Sequence, residues 1–169
     1  MPHASHQQSS LHQLLSQQRT AALAVQPLAD FAGSYLPAPL QSFTPWAWDA
    51  GFGCIVLMVS DLASHTLAMK KHAAVSLLIS AQEVAGQGVH GMERVSITGV
   101  ASMPPVASAL EQGARSAYLA RFPEAESISL MPDFHFVCIT ITSARHVAGF
   151  GSVRDLDGEA VVDAMNLLA

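Results

Sequence analysis

The stretch MVSDLASHTLAMKKHAAVSLLI, residues 58–79, contains the features that decide the fold. An apolar run ends abruptly in a group of polar side chains, and a helix-like pattern follows, so the group lies at a strand-to-helix junction. A helix cap, a metal site and a cradle for a phosphate are three explanations for such a group. The polar side chains are Ser60, Asp61, Ser64, His65 and Thr66.

A helix cap is the simplest of these explanations, with Ser60 or Asp61 accepting hydrogen bonds from free backbone N–H groups of the helix. The same helix N-terminus suits a phosphate, because free N–H donors and the positive end of the helix dipole favour an anion. Ser60, Ser64 and Thr66 would add hydroxyl donors, and protonated His65 would add a charge-assisted bond. Asp61 would have to point away from the anion. A metal site is the least supported explanation, because the group offers only one carboxylate and one imidazole as ligands.

The segments around this junction have the pattern of strands. CIVLMVS and AAVSLLIS are continuously apolar, which predicts strands that are covered on both faces. Few helices separate the strands, so a doubly wound parallel sheet is excluded and a six-stranded antiparallel barrel, closed or split, is favoured. The fold class is therefore mainly β with a few helices. The six predicted strands lie within residues 19–25, 30–48, 54–60, 73–80, 93–103 and 134–151.

Three helices are predicted besides the one after the junction. The clearest lies in PPVASALEQGARSAYLARFP, where apolar residues recur at helical spacing and Pro123 ends the pattern. A short helix with Ser10 as its N-cap precedes the first strand, and DGEAVVDAMNLLA has the pattern of an amphipathic C-terminal helix. We expect residues 1–9 to form a disordered tail and residues 10–169 to form a single domain.

The composition limits the classes of function. The chain has 169 residues with only 12% charged, which indicates that some apolar surface is covered by another subunit. A net charge of −5 with only 8 Lys and Arg excludes a basic groove for nucleic acid. We find no signal-peptide pattern and no apolar run of about 20 residues, and we therefore expect a cytoplasmic protein without a membrane span. Cys54 and Cys138 are expected to be buried thiols, and no metal site is predicted.

Two further positions are candidates for a site. Arg94 opens a strand that otherwise enters the core, either as a surface charge or at the rim of a flat ligand, where a guanidinium can bond or stack. His146 stands at the end of the last long strand and is usually a satisfied residue in such a place, since a haem ligand or general acid needs an open pocket beside it. No Walker, Rossmann or nucleophile-elbow motif is present.

Five stretches in order and spacing resemble the FMN-binding split-barrel proteins related to pyridoxamine 5′-phosphate oxidase, and within them the branch of HugZ-type haem-utilisation proteins. The resemblance extends from about residue 11 to about residue 156. The stretches are VSDLASHTLAMKKHAAVSLLI, RVSITGVA, ARSAYLARFPEAE, DFHFVCI and ARHVAGFG.

The resemblance implies a homodimer with two FMN molecules in the clefts between subunits. By position, Ser60, Ser64, His65 and Thr66 would hold the FMN phosphate, and Arg94 matches a residue near the isoalloxazine ring. His65 and Thr66 replace an Arg-Lys pair of the authentic oxidase, so the phosphate would be held with less permanent charge. The oxidase's C-terminal Trp and Arg segment has no counterpart, so oxidation of vitamin B6 is not expected.

Three functions follow from the resemblance. The first is an FMN-dependent oxidoreductase whose substrate is unknown. The second is a haem-binding or haem-utilisation protein, or a carrier of flavin or haem without catalysis. The third is a dimeric scaffold with a cleft filled by side chains such as Trp46.

Overall fold

The computed structural model describes residues 2–28 and 38–166, with the side chains of residues 2–7 left out. Eight strands and five α-helices follow one another within this part of the chain. The strands are β1 (Thr20–Val25), β2 (Leu40–Pro45), β3 (Ala47–Asp49), β4 (Cys54–Ser60), β5 (Ala74–Ser80), β6 (Arg94–Ser102), β7 (Phe134–Gly149) and β8 (Ser152–Asp157). The α-helices are α1 (Pro2–Gln17), α2 (Ser64–Lys71), α3 (Ala109–Arg121), α4 (Glu126–Ser129) and α5 (Gly158–Asn166).

All strands belong to one antiparallel sheet with the order β2-β1-β5-β6-β7-β4-β3, and β8 pairs with the second half of β7. The two ends of this order, β2 and β3, are separated in the chain only by Trp46. The sheet must therefore curl until its ends meet, which produces a half-barrel. The mainly β class and the antiparallel sheet of the prediction are confirmed.

The predicted count of six strands is wrong, because the sheet has eight. The predicted strand at residues 30–48 is divided at Trp46: residues up to Pro45 pair with β1 and residues from Ala47 pair with β4, so β2 and β3 are separate strands. Residues 30–37 of that segment lie outside the described residues. The eighth strand, β8, returns along β7 after a glycine turn and was not predicted.

The core lies on both faces of the sheet. Inside the curl, Leu11 and Leu15 of α1 and Val161 of α5 are fully or almost fully buried against the strands. On the outer face, Tyr118 of α3 covers a second cluster that includes Cys138. Strand β4 is therefore covered from both sides, as its continuous apolar run predicts.

The helix predicted before Pro123 is confirmed as α3. Ser108 is its N-cap and accepts a hydrogen bond from Glu111 N, and Ala114 and Tyr118 form its buried face. The predicted start of the first helix is wrong, because α1 begins at Pro2 and Ser10 lies inside it rather than at its N-cap. The C-terminal helix is present as α5 over Gly158–Asn166.

The two thiols are buried and free, as predicted. Cys54 lies on β4 and Cys138 on β7, and both belong to the cluster under α3. The hydrogen bond with Cys138, and then burial, raise the pKa of Cys54 far above its ordinary value. Cys54 therefore stays a neutral, unreactive thiol.

Gly99 allows β6 and β7 to approach closely. The register between the two strands shifts between Thr98 and Gly99, which marks a β-bulge. A Cβ atom on Gly99 would lie 2.6 Å from Thr140 O and 2.7 Å from Ile139 Cγ2. No side chain larger than hydrogen can be placed there without moving a strand.

His146 lies at the centre of a buried polar cluster and has no exposed surface. Its Nε2 lies 2.8 Å from Glu93 Oε1, and Arg154 Nε donates to its Nδ1 at 3.4 Å. Since Nδ1 accepts, we assign the ring proton to Nε2, which donates to Glu93. Ser10 of α1 donates to the same carboxylate oxygen. Both ring nitrogens are thus engaged, and His146 is a satisfied structural residue.

Candidate functional site

The junction between β4 and α2 has no side-chain cap. Ala63 occupies the N-cap position, and no side chain accepts from the helix. Ser60 Oγ accepts from Leu62 N at 3.1 Å within the preceding turn and donates to Asp133 Oδ2 at 2.8 Å. The expectation that Ser60 or Asp61 caps the helix is wrong, because the turn of residues 61–63 places both of them before the helix start.

Asp61 is held by two cationic or potentially cationic groups. Lys70 Nζ donates to Asp61 Oδ1 at 2.6 Å, and His135 Nε2 lies 2.8 Å from Asp61 Oδ2. The hydrogen bond from Lys70, followed by that from His135, lowers the pKa of the Asp61 carboxyl. Asp61 is therefore an anion that neutralises Lys70, and the charge of Lys70 is not free to hold a ligand beside Ser64.

Ser64, His65 and Thr66 form the first turn of α2, and each has a different environment. Ser64 is exposed. His65 is half-buried, with Nδ1 lying 2.9 Å from Ser42 Oγ of β2, and burial lowers the pKa of His65 below its ordinary value. Its ring is therefore neutral at pH 7. Thr66 is fully buried, and its Oγ1 has no hydrogen-bond partner among the described residues.

The backbone of this turn presents free donors. The N–H groups of Thr66 and Leu67 donate to Ala63 O at 3.0 and 3.4 Å. The N–H groups of Ser64 and His65 precede the first intrahelical bonds, and no backbone acceptor among the described residues takes them. Two amides and the Ser64 hydroxyl therefore face outward at the positive end of α2.

An apolar cavity of about 360 Å³ lies beside the start of α2. It is bounded by α2 on one side and by β2 and its flanking segments on the other. Among the described residues no carboxylate lines it, and Ser64 and Gln41 provide its polar side chains. Its lining residues are Pro27, Leu28, Ala38, Pro39, Leu40, Gln41, Ser64, Leu67 and Ala68.

Arg94 lies apart from the other predicted site residues. It begins β6, and β5 and β1 separate that strand from β2, where Ser42 contacts His65. Its guanidinium donates to Met92 O at 2.9 Å. Within one chain, the structure thus brings Ser64, His65 and Thr66 together in one helical turn and leaves Arg94 on a different part of the sheet.

Sequence reasoning missed Ser42 and His135. Ser42 contacts His65 from a strand that is 23 residues away in the chain, and His135 contacts Asp61 across 74 residues. The β4–β7 register, which pairs Val59 with His135, places that imidazole beside the junction. No local pattern contains this register, so only the pairing of the strands could have revealed the contact.

Comparison with protein families identifies the chain. The model of the family described as "CREG, beta-barrel" matches residues 12–161. The chain belongs to this family. A comparison with curated protein sequences finds no significant match.

Solved structures with the same fold include a heme-binding protein, ChuZ and a protein provisionally named pyridoxamine 5′-phosphate oxidase. The heme-binding protein from Mycobacterium smegmatis aligns with a TM-score of 0.78 and 24% identity, over 92% of this chain and 59% of that chain. Campylobacter jejuni ChuZ aligns with a TM-score of 0.76 and 19% identity, over 92% and 61%. A Listeria innocua protein provisionally named pyridoxamine 5′-phosphate oxidase aligns with a TM-score of 0.56 and 17% identity, over 84% and 98%.

The family match and these structures together confirm the predicted split-barrel family; at such identities the structures by themselves establish the fold alone. The chain spans about three fifths of the length of the first two proteins. None of the helices in the described residues is both long and apolar enough to cross a bilayer. Among the same residues, no group of three or more His, Cys, Asp and Glu side chains is arranged to hold a metal ion.

Proposed function

We propose that this chain binds FMN, with the phosphate at the first turn of α2 and the ring in the adjacent apolar cavity. The observation that carries the proposal is the combination of two free backbone N–H groups and the Ser64 hydroxyl with a 360 Å³ apolar cavity that no carboxylate of the described residues lines. A phosphate favours the N–H donors of a helix start, and a flat apolar ring favours the cavity.

The donor groups of this turn suit a phosphate, although none of them carries a permanent charge. Ser64 and His65 would supply two backbone N–H groups, and Ser64 would add its hydroxyl. With Nδ1 of His65 engaged by Ser42, Nε2 is the ring nitrogen left for a ligand. Thr66 and Ser60 would act indirectly, since Thr66 is fully buried and the Ser60 hydroxyl is engaged by Asp133 and Leu62.

Bound FMN would supply hydride or single-electron chemistry, which makes an oxidoreductase the proposed activity. The chain's own residues would bind and orient the cofactor. Arg94 is too far along the sheet to serve the cavity of its own chain, so we assign it to the FMN held by a second copy, where its positive charge would stabilise negative charge on the reduced ring.

The outer face of the sheet supports the proposal of a homodimer. Along β6, the outward side chains between Arg94 and Ser102 are the uncharged Ser96, Thr98 and Val100. The outward side chains of β1 and β5 are likewise small or apolar, with Leu78 43% exposed. A broad uncharged face on a chain with net charge −5 suits a second copy of itself.

We expect Val100→Glu to convert the dimer to a monomer, because it places two buried carboxylates at the interface. Analytical ultracentrifugation of the wild type and the variant would measure this. Val153→Glu changes a valine that is 48% exposed on β8, and we expect that control to stay dimeric. A monomeric wild-type protein would contradict the proposed assembly.

Replacing Ser64 and His65 together with alanine is expected to weaken FMN binding about tenfold, since two polar contacts to an anion are lost. Quenching of FMN fluorescence on titration with protein would measure the affinity, and circular dichroism would check the fold. The matched control is Ser116→Ala with His90→Ala, two exposed positions away from α2. Equal affinity of both double variants would contradict the phosphate assignment.

Haem binding is the second candidate, because two structural relatives are described as haem proteins: the heme-binding protein from Mycobacterium smegmatis and the heme storage protein HutZ from Vibrio cholerae. In this chain, His65 follows the cavity residue Ser64, and its Nε2 is the nitrogen that would contact iron, since Ser42 engages Nδ1. A sharp Soret band on addition of haemin that disappears in His65→Ala, together with no FMN uptake, would favour this candidate over the flavin.

A further inference from the structure

A second cavity in the described part of the chain lies away from the proposed cofactor site. Its volume is about 390 Å³, and it is formed by α3, the segment between β6 and α3, and the start of β7. A volume of this size is typical of small-molecule sites. Its apolar wall consists of Met103, Pro104, Val106, Leu130, Met131 and Phe136.

Basic side chains converge on this apolar cavity. Lys70, Arg115 and His135 all line it, although the whole chain has only 8 Lys and Arg. Glu111 is the carboxylate in the lining, and its side chain is only 16% exposed and accepts from Arg115 Nε. Asp61 and Glu111 balance the charges of Lys70 and Arg115, so the cavity combines apolar walls with cationic N–H donors rather than with a net positive charge.

Two of these basic groups keep donors for a ligand. Arg115 uses one N–H on each of three nitrogens, toward Glu111 Oε1, Ser129 Oγ and Ser129 O. Its guanidinium has five N–H groups, so two remain. Lys70 Nζ donates to Asp61 and has two further N–H groups. Arg115 also lies 5.0 Å above the Phe136 ring centroid, which fixes its guanidinium in place.

Exposed apolar side chains and a residue with a strained backbone conformation lie at the mouth of the cavity. Val106 is 89% exposed and Leu130 is 76% exposed, although both line the cavity. Ala107 has a φ of 63°, in the left-handed region that non-glycine residues rarely adopt. Gln112 Nε2 donates to Ala107 O and holds this conformation. Such strain commonly marks a binding site.

We propose that this cavity binds a small molecule with a flat apolar body and one carboxylate. The apolar wall would cover the body, and the free donors of Arg115 and Lys70 would receive the carboxylate, which suits the fork of a guanidinium. The site is separate from the cavity beside Ser64, since the two share no lining residue.

The test uses 1-naphthoate as the probe and 1-naphthamide, which has the same shape without the charge, as its control. We expect calorimetric titration to show that the acid binds at least about tenfold more tightly than the amide, as a charge-assisted bond implies. In ¹⁵N–¹H spectra, the acid should shift signals of residues 103–106 and 129–136. It should leave residues 38–41 and 64–68, which border the proposed FMN site, unchanged.

Two variants and a matched control test whether the carboxylate of the probe binds at this cavity. Lys70→Met removes a donor and is expected to weaken naphthoate binding about tenfold. Val106→Asp adds a carboxylate at an exposed position of the mouth, so it should weaken the acid and not the amide, with the fold unaffected. Lys71→Met changes the neighbouring exposed lysine, which does not line the cavity, and should have no effect.

Three results of the binding titrations would overturn the proposal. The first is no binding of naphthoate at about 1 mM, which is the weak limit of specific affinity. The second is equal affinity for the acid and the amide. The third is an equal loss of naphthoate affinity in Lys70→Met and Lys71→Met. Signal shifts confined to residues 38–41 and 64–68 would also overturn it. None of these results depends on whether FMN binds, so this proposal and the cofactor proposal fail separately.

Discussion

Gly99→Ala is expected to lower the free energy of unfolding by about 3 kcal/mol, the upper end of the effects of overpacking. The added Cβ would lie 2.6 Å from Thr140 O, a backbone atom that can move only if β7 moves. Strand β7 is also paired with β4 and β8, so a shift would disturb three ladders at once. Urea denaturation followed by circular dichroism would measure the change.

Gly88→Ala is the matched control for this substitution. Gly88 has an ordinary φ of −71°, and no atom lies within 4 Å of the position that a Cβ would take. We expect its stability to be unchanged or slightly raised, since alanine reduces the freedom of the unfolded chain. A loss for Gly99→Ala no greater than that of Gly88→Ala would show that β6 and β7 are not in close contact at the bulge.

Loss of stability on acidification is the second large effect we expect, and it arises from His146. Burial is the main cause that lowers the pKa of His146 below its ordinary value of 6.5, and the charge of Arg154 lowers it further, whereas Glu93 opposes both. The folded protein therefore binds the proton less well than the unfolded chain does. The contribution of His146 to the free energy of unfolding is fully present above pH 6.5 and is lost as the pH falls through the folded-state pKa of His146.

Protonation would place a hydrogen on Nδ1, directly facing the Arg154 Nε–H that now donates to it. The groups around the ring are Glu93 before β6, Arg154 on β8 and the Ser10 hydroxyl of α1, which donates to Glu93. Acidification should therefore weaken the attachment of β8 and α1 first. Hydrogen exchange at pH 7 and at pH 5 should show the largest rise in rate at these two elements.

His146→Leu is expected to cost about 2 kcal/mol at pH 7, because it removes the imidazole N–H that donates to the Glu93 carboxylate. The variant should also lose the part of the pH dependence between pH 7 and pH 5 that His146 supplies. His90→Leu, at an exposed histidine, should keep the wild-type profile. If His146→Leu retained the full pH dependence, another group would be its source.

The individual helices and most strands could be predicted from the sequence, whereas the break between β2 and β3 and the return of the chain as β8 could not. Helix α3 has its apolar positions at regular spacing and a serine at its cap, and both signals are contained in a short window. The break between β2 and β3 arises because the chain changes its partner strand from β1 to β4 at Trp46, which is a tertiary arrangement. Strand β8 was missed because its burial alternates only between half-buried and exposed, so it lacks an apolar run.

The same distinction applies to the candidate site. Ser64, His65 and Thr66 are close in sequence, so their presence in one helical turn followed from the pattern. The role of Asp61 did not follow, because its partner His135 is brought in by the β4–β7 register. Whether Arg94 joins a cofactor site likewise depends on the position of a second chain, which the sequence of one chain does not encode in any local pattern.

The packing of α1 against α5 determines the order in which the protein can complete its core during synthesis. His12 Nδ1 lies 2.9 Å from Ala164 O, and Leu11 and Leu15 share a cluster with Val161. Helix α1 can therefore pack against α5 only when residues 158–166 have been synthesised. Until then the part of its apolar face that contacts α5 stays uncovered, and we expect the nascent chain to bind chaperones that recognise exposed apolar surface.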